Sequence, residues 1–223
     1  GAIQRKRLSR YRNWREENDF YREIPPWDSR EIKPIADPEN RFRRKYGLIE
    51  QKIVLYAGNL GKAHSYSELL AAARWIENID RNWEFVFAVR GNSKKSLTRE
   101  SSGLSNILIT DYQPSELTAD LLRAATVHVI TMKEGWEGIV VPSKLYGIFK
   151  TVAPVLFIGP KESDTAREIE KHAFGELLPS GSSGETVARS LIRLGGRPGR
   201  LRPPPLGGNA EEIADFITPE ETV

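Results

Sequence analysis

From residue 52 onward the chain alternates short apolar runs with segments of helical period, and that alternation leaves few folds open to it. Residues 52–57 form a continuous apolar run ending at Gly58, the pattern of a strand buried on both faces. Further strands are expected over 84–89, 106–110, 126–131 and 154–158. Between and after them, 65–79, 115–125, about 142–149, 163–172 and 184–194 read as helices. In the first of these Tyr66, Leu69, Leu70, Ala73 and Ile76 recur at mostly helical spacing. Strands separated by helices form a mostly parallel sheet covered on both faces, so the expected fold is a Rossmann-like, doubly wound α/β sheet. Right-handed crossovers then bring the C-terminal ends of all the strands to one edge, where ligands bind.

The flanks read differently. Pro25, Pro26, Pro34 and Pro38 punctuate 1–46, and each proline removes a donor and restrains its predecessor, so this stretch reads as an extended connector. Residues 195–223 open on a Pro/Gly-rich run that cannot pack and read as a flexible tail, leaving 47–194 as the domain proper. Gly1-Ala2 without an initiator methionine reads as the start of a fragment.

Composition excludes some chemistry. With no cysteine there is no disulfide, thiolate metal site or cysteine nucleophile, and the expected compartment is the cytosol, including the inner face of the membrane. Runs such as 139–141 and 155–158 are too short to span a bilayer. The net charge of +3 is uneven: Arg5, Lys6, Arg7, Arg10, Arg12 and Arg15 crowd the N-terminus around Tyr11 and Trp14, and Arg41, Arg43, Arg44 and Lys45 form a second cluster. Such segments can meet nucleic acid or an anionic membrane. Glu16, Glu17 and Asp19 dilute the first cluster, a solvated face is its plainer reading, and nucleic acid is not an expected partner.

Four strand-to-helix loops carry unusual residues. In the first, 58–64, Gly58 and Gly61 let the backbone approach a ligand closely, Asn59, Lys62 and His64 add donors, and the next helix offers its positive end. It matches neither the dinucleotide fingerprint nor the P-loop. In the second, Arg90 is a phosphate contact or a surface arginine; in the third, Tyr112 flanks a planar base or packs under the next helix. The fourth runs from Lys133 through Glu134 and Glu137 to Ser143, Lys144 and Tyr146, combining carboxylates, glycine amides and a cation, a mixture suited to sugar hydroxyls at one end and phosphates at the other. His128 within a strand reads as a core residue, and His172 as a cation closing a helix. Three dispersed histidines form no metal site, and no D-x-D pair is present to clamp a metal-bound diphosphate.

Together these segments resemble the C-terminal, donor-binding domain of the retaining GT-B glycosyltransferases of the bacterial exopolysaccharide and lipopolysaccharide type (glycosyl transferases group 1). The resembling residues are I-V-L-Y-A-G-N-L-G-K-A-H (53–64), D-Y-Q-P-S-E-L (111–117), E-G-I-V-V-P-S-K-L-Y-G-I (137–148), A-P-V-L-F-I-G-P (153–160), D-T-A-R-E-I-E (164–170) and F-G-E-L-L-P (174–179). The likeness covers about 24–194, with I-P-P-W-D and 40–48 as the hinge and the residues before Ile24 as the end of an N-terminal acceptor-binding domain.

The resemblance implies a nucleoside-diphosphate sugar, uridine-linked, as donor substrate, a glycan or lipid-linked acceptor, peripheral membrane contact, and neither cofactor nor metal. It implies that Gly58, Asn59, Gly61, Lys62 and His64 hold the diphosphate, with Arg90 and Tyr112 beside them. The family's E-x7-E motif would make Glu134 or Glu137 the donor-sugar contact, with Glu134 and Lys62 as the catalytic pair. Its second acid falls on Gly147, so the ribose contact must differ, through Ser143, Lys144 or Tyr146. By the same resemblance the fragment alone binds donor without turnover. Two alternatives stand beside this reading: a nucleotide-sugar-binding module that assists a partner transferase, and a nucleotide-sugar epimerase of the same architecture.

Overall fold

The computed structural model describes residues 37–196, apart from 141, 142 and 152 and the side chains of 37, 143, 144 and 146. The basic N-terminal segment, most of the connector and the tail beyond 196 lie outside the described residues. Strands β1 (Lys52–Asn59), β2 (Trp83–Arg90), β3 (Ile107–Thr110), β4 (Val127–Thr131), β5 (Val155–Ile158) and β6 (Gly175–Leu178) form one sheet in the order β3-β2-β1-β4-β5-β6. Every pairing is parallel, from Val54 opposite Phe85 to Ile158 opposite Leu178.

The helices are α1 (Arg41–Tyr46), α2 (Ser67–Glu77), α3 (Lys94–Glu100), α4 (Ser115–Arg123), α5 (Ser143–Ile148), α6 (Asp164–Lys171) and α7 (Gly184–Gly195). On one face Val54, Tyr56, Phe85 and Phe87 pack with Leu69, Ala73 and Ile76 of α2, Leu97 of α3, and Val187 and Leu191 of α7. On the other, Ile53, Leu55 and Val86 meet Phe42 of α1 and Leu121 of α4. That layer continues as Ile130, Val155 and Phe157 under Leu145 and Ile148 of α5 and Ile169 of α6. Alternate residues of one strand thus feed opposite layers, which is why the central strands are apolar without interruption.

Each expected strand and helix is present, with ends shifted by a residue or two. Ser163, expected inside α6, caps it instead: its Oγ accepts from the Ala166 amide at 3.1 Å. Residues 40–46 depart more. They were expected to be connector, yet after a 3₁₀ turn at Asp37–Glu39, Asn40 caps a helix with its Oδ1 accepting from the Arg43 amide at 3.0 Å. Phe42 is fully buried. The guanidinium of Arg43 donates to Leu48 O at 2.7 Å, Gln51 O at 2.8 Å and Ala124 O at 2.7 Å. Arg41 forks onto Asp120 Oδ2 at 2.8 and 2.6 Å. The second basic cluster is therefore not a free cationic surface: two of its four members hold α1 on α4 and on the lead into β1.

Two elements were not expected at all, α3 and the edge strand β6. His172 was expected as a cation at the end of α6; burial lowers its pKa below the usual histidine value of 6.5, so the ring is neutral at pH 7.

Candidate functional site

A strand order of 3-2-1-4-5-6 reverses direction between β1 and β4, and a crevice opens beyond their C-terminal ends. Here it is a cavity of about 560 Å³, within the roughly 300–1,000 Å³ of small-molecule sites. It is lined by the β1 loop from Ala57 to His64, by Arg90, by Tyr112 and Gln113, by Thr118, Leu121 and Leu122 of α4, by Ile130 to Met132, and by Trp136, Val140 and Gly147.

Backbone bonds fix the loops around it. Leu60 N donates to Arg90 O at 2.7 Å and Lys133 N to Ala63 O at 2.9 Å, tying the first loop to the second and fourth. Gly58, at φ 131°, and Gly91, at φ 118°, adopt backbone that other residues avoid. At Gly91 a Cβ would stand 2.7 Å from Asn59 Oδ1 and 2.8 Å from Leu60 O, so only glycine lets the second loop lie this close to the first.

The sequence-expected residues divide into three groups. Gly58, Asn59, Gly61, Lys62, His64, Arg90 and Tyr112 come together along the cavity. Lys62 and Arg90 are exposed cations at its rim. The Arg90 guanidinium lies 4.9 Å from the centre of the Tyr112 ring, which is 47% exposed and so neither packed under α4 nor wholly in solvent. His64 Nδ1 lies 2.6 Å from Thr131 O; because a carbonyl only accepts, Nδ1 carries the proton.

Glu134 and Glu137 do not line the cavity. Glu134 is exposed, and Glu137 Oε1 accepts from the Gly135 amide at 3.1 Å, closing a turn in which Gly135 and Gly138 have positive φ. The same loop gives Trp136 and Val140 to the cavity instead. Ser143, Lys144 and Tyr146 fall on α5, and their side chains lie outside the described residues. Leu121, Leu122 and Met132 were missed, because apolar residues on a helix or strand carry the same signal whether they face a core or a cavity, and a lone threonine such as Thr118 or Thr131 carries no signal of either.

The helix after the first loop was expected to offer its positive end to an anion. Glu68, in the first turn of α2, already occupies that end. Burial alone would raise its pKa, but bonds from Ser65 Oγ, from its own amide, from Gly181 N at 3.1 Å and from Ser67 Oγ at 3.0 Å outweigh burial and lower it. The carboxylate is thus held ionised against the dipole. That leaves the loop amides, Lys62 and Arg90 as the groups of the cavity that could meet an anion. Among the described residues no three His, Cys, Asp or Glu side chains cluster to hold a metal, and no helix is long and apolar enough to cross a membrane.

No family model matches the chain. A curated relative, the putative colanic acid biosynthesis glycosyl transferase WcaI of Escherichia coli K12, is 29% identical over 132 residues, 56% of this chain and 31% of WcaI. The chain therefore spans about a third of that relative's length. Among solved structures, WaaG, a glycosyltransferase of lipopolysaccharide biosynthesis, shares the fold at a TM-score of 0.59 and 16% identity over 78% of this chain and 46% of its own. The C-terminal domain of the group 1 glycosyl transferase LpcC from Francisella tularensis does so at 0.54 and 19%, over 75% of this chain and 87% of its own. Anabaena HepE, solved with UDP and glucose, matches at 0.51 and 12%, over 75% of this chain and 46% of its own. The chain is thus similar over part of its length to a glycosyltransferase, WcaI, and has the α/β fold of the C-terminal domain of LpcC and of the matching part of the GT-B glycosyltransferase WaaG.

Proposed function

We propose that this domain binds a nucleoside-diphosphate sugar, uridine-linked, in the cavity beyond β1 and β4, and that the protein containing it transfers the sugar to a glycan or lipid-linked acceptor with retention and without a metal. The observation that carries the reading is the gathering of the β1 loop, Lys62, His64, Arg90 and Tyr112 on one cavity at the sheet's switch point. Glycine-loop amides and two rim cations suit a diphosphate, whose charge grows as the glycosidic bond breaks. Tyr112 beside Arg90 offers a flat face to a base. Lys62 neutralises the leaving diphosphate, and Glu134 reaches the donor sugar when the loop bearing it folds over a bound donor. WcaI and the UDP complex of HepE support the substrate class. The acceptor is held by a second domain across the cleft, with peripheral contact at the cytoplasmic face of the membrane.

Calorimetry on the chain with UDP, GDP and their sugars tests this. UDP is expected to bind with micromolar to millimolar affinity, unchanged by a chelator. Lys62→Ala and Arg90→Ala should each weaken it about ten- to thirtyfold, the equivalent of a lost charge-assisted hydrogen bond of about 1.5–2 kcal/mol. The domain alone should turn over no donor. Absence of binding by every nucleoside diphosphate at millimolar concentration would remove the reading, and turnover by the isolated domain would remove the two-domain cleft.

A further inference from the structure

We infer that the cavity takes a donor whose sugar carries a methyl group, on an acetamido substituent or at C6, in preference to a plain hexose, and that Trp136 and Val140 form the wall that reads it. This rests on the nucleoside-diphosphate reading above and narrows its substrate class.

The strand order sets which end of the donor lies where. Along the edge the order runs β3-β2-β1-β4. Tyr112, after β3, and Arg90, at the end of β2, therefore stand on one side of the β1 loop, and β4 with the loop that follows it stands on the other. With the base beside Tyr112 and the diphosphate on the β1 loop, the sugar falls on the β4 side.

The wall on that side is apolar and anchored. Ile139 N and Val140 N both donate to Trp136 O, at 3.1 and 3.2 Å, closing a single turn of chain. Trp136 and Val140 each line the cavity, and each packs from behind on the layer that holds Ile130, Met132 and Phe157. Ile139, between them in sequence, is 47% exposed. The two lining side chains are thus positioned by the core and not by the loop alone. Met132 and Leu122 extend the same apolar surface.

A hydroxyl pressed onto such a wall loses its water and gains no partner there, whereas a methyl group leaves water and gains contact. One methyl or methylene group in a hydrophobic pocket shifts discrimination by about tenfold or more. The hydroxyls on the sugar's opposite edge remain open to Glu134, on the exposed part of the same loop.

The test measures, by calorimetry on the chain, the binding of UDP-glucose, UDP-N-acetylglucosamine and UDP-6-deoxyglucose, with UDP as reference. The three donors share one nucleotide and one charge, so the ratios of their dissociation constants report the sugar alone. At least one methyl-bearing donor should bind about tenfold or more tighter than UDP-glucose, and which one does so places the methyl at the C2 substituent or at C6. Trp136→Ala should abolish that preference while leaving UDP itself within about twofold. UDP-glucose binding as tightly as both methyl-bearing donors overturns the inference and leaves the nucleotide-sugar reading intact, as does a preference that survives Trp136→Ala. If neither UDP nor any donor binds, the underlying reading falls and takes this inference with it. Should Trp136→Ala fail to fold, Val140→Thr decides: it keeps the shape and puts a hydroxyl on the wall, so the preference should fall about threefold or more, and an unchanged preference overturns the inference.

Discussion

Arg43 and His128 are buried polar residues that tie segments of the fold together, and neither lines the cavity. Arg43 is 4% exposed and donates to three backbone carbonyls within 2.8 Å, including one from α4. Arg43→Met removes those donors and leaves the carbonyls buried and unmet. A loss of about 2–4 kcal/mol is expected, read from the urea midpoint at unchanged slope. His128 is fully enclosed, its Nε2 3.2 Å from Thr151 Oγ1, and Thr151 in turn donates to Ile148 O at 2.8 Å. Burial pushes its pKa from the ordinary 6.5 to about 3. The folded ring therefore stays neutral where the unfolded one would gain a proton, so its contribution to stability is complete above pH 6.5 and is lost as pH falls toward 3. Thermal melting across that window should show the decline, and His128→Gln should flatten it while lowering the melting temperature throughout.

At the level of elements, α2 and α7 approach so closely that a side chain at Gly184 would place its Cβ 2.6–2.8 Å from Ala71 backbone and Cβ atoms. Gly184→Ala should push α7 off its neighbour and lose about 1–3 kcal/mol, measurable by denaturant unfolding. The same closeness explains why most helices were legible in the sequence. Helices that pack tightly carry a full apolar stripe, as Val187, Ala188, Leu191 and Leu194 do on α7. α3 has one buried residue, Leu97, amid charged and polar neighbours, and leaves no period to read. β6 is four half-buried residues bounded by Gly175 and Pro179 at the sheet edge, too short and too mixed to stand out. α1 was hidden by the prolines before it, although Pro38 belongs to the preceding turn and the helix opens at Arg41. The cavity divides in the same way. Its polar rim follows from glycines and cations at strand ends, which topology must gather on one edge. Its apolar wall does not, because Leu121 and Leu122 read as core until the space beside them is seen.

Seen whole, the sheet is built from pairings that nothing local supports. Ile53 N meets Thr126 Oγ1 across 73 residues of chain, Thr126 N donates back to Ile53 O at 2.8 Å, and β1 pairs with β4 over the short register at Val54 and Leu55. Every other strand pair belongs to one half or the other, β1 to β3 or β4 to β6. Within the sheet the seam between the halves is thus short, while α7 packs on α2 across it, and closing it requires long-range contacts that cost loop-closure entropy. The crevice does not exist until that seam closes, since its walls come from both sides of it. A ligand lodged there would act as a clasp: by mass action it would stabilise the meeting of the two halves that creates its site, so that occupancy and stability would rise together.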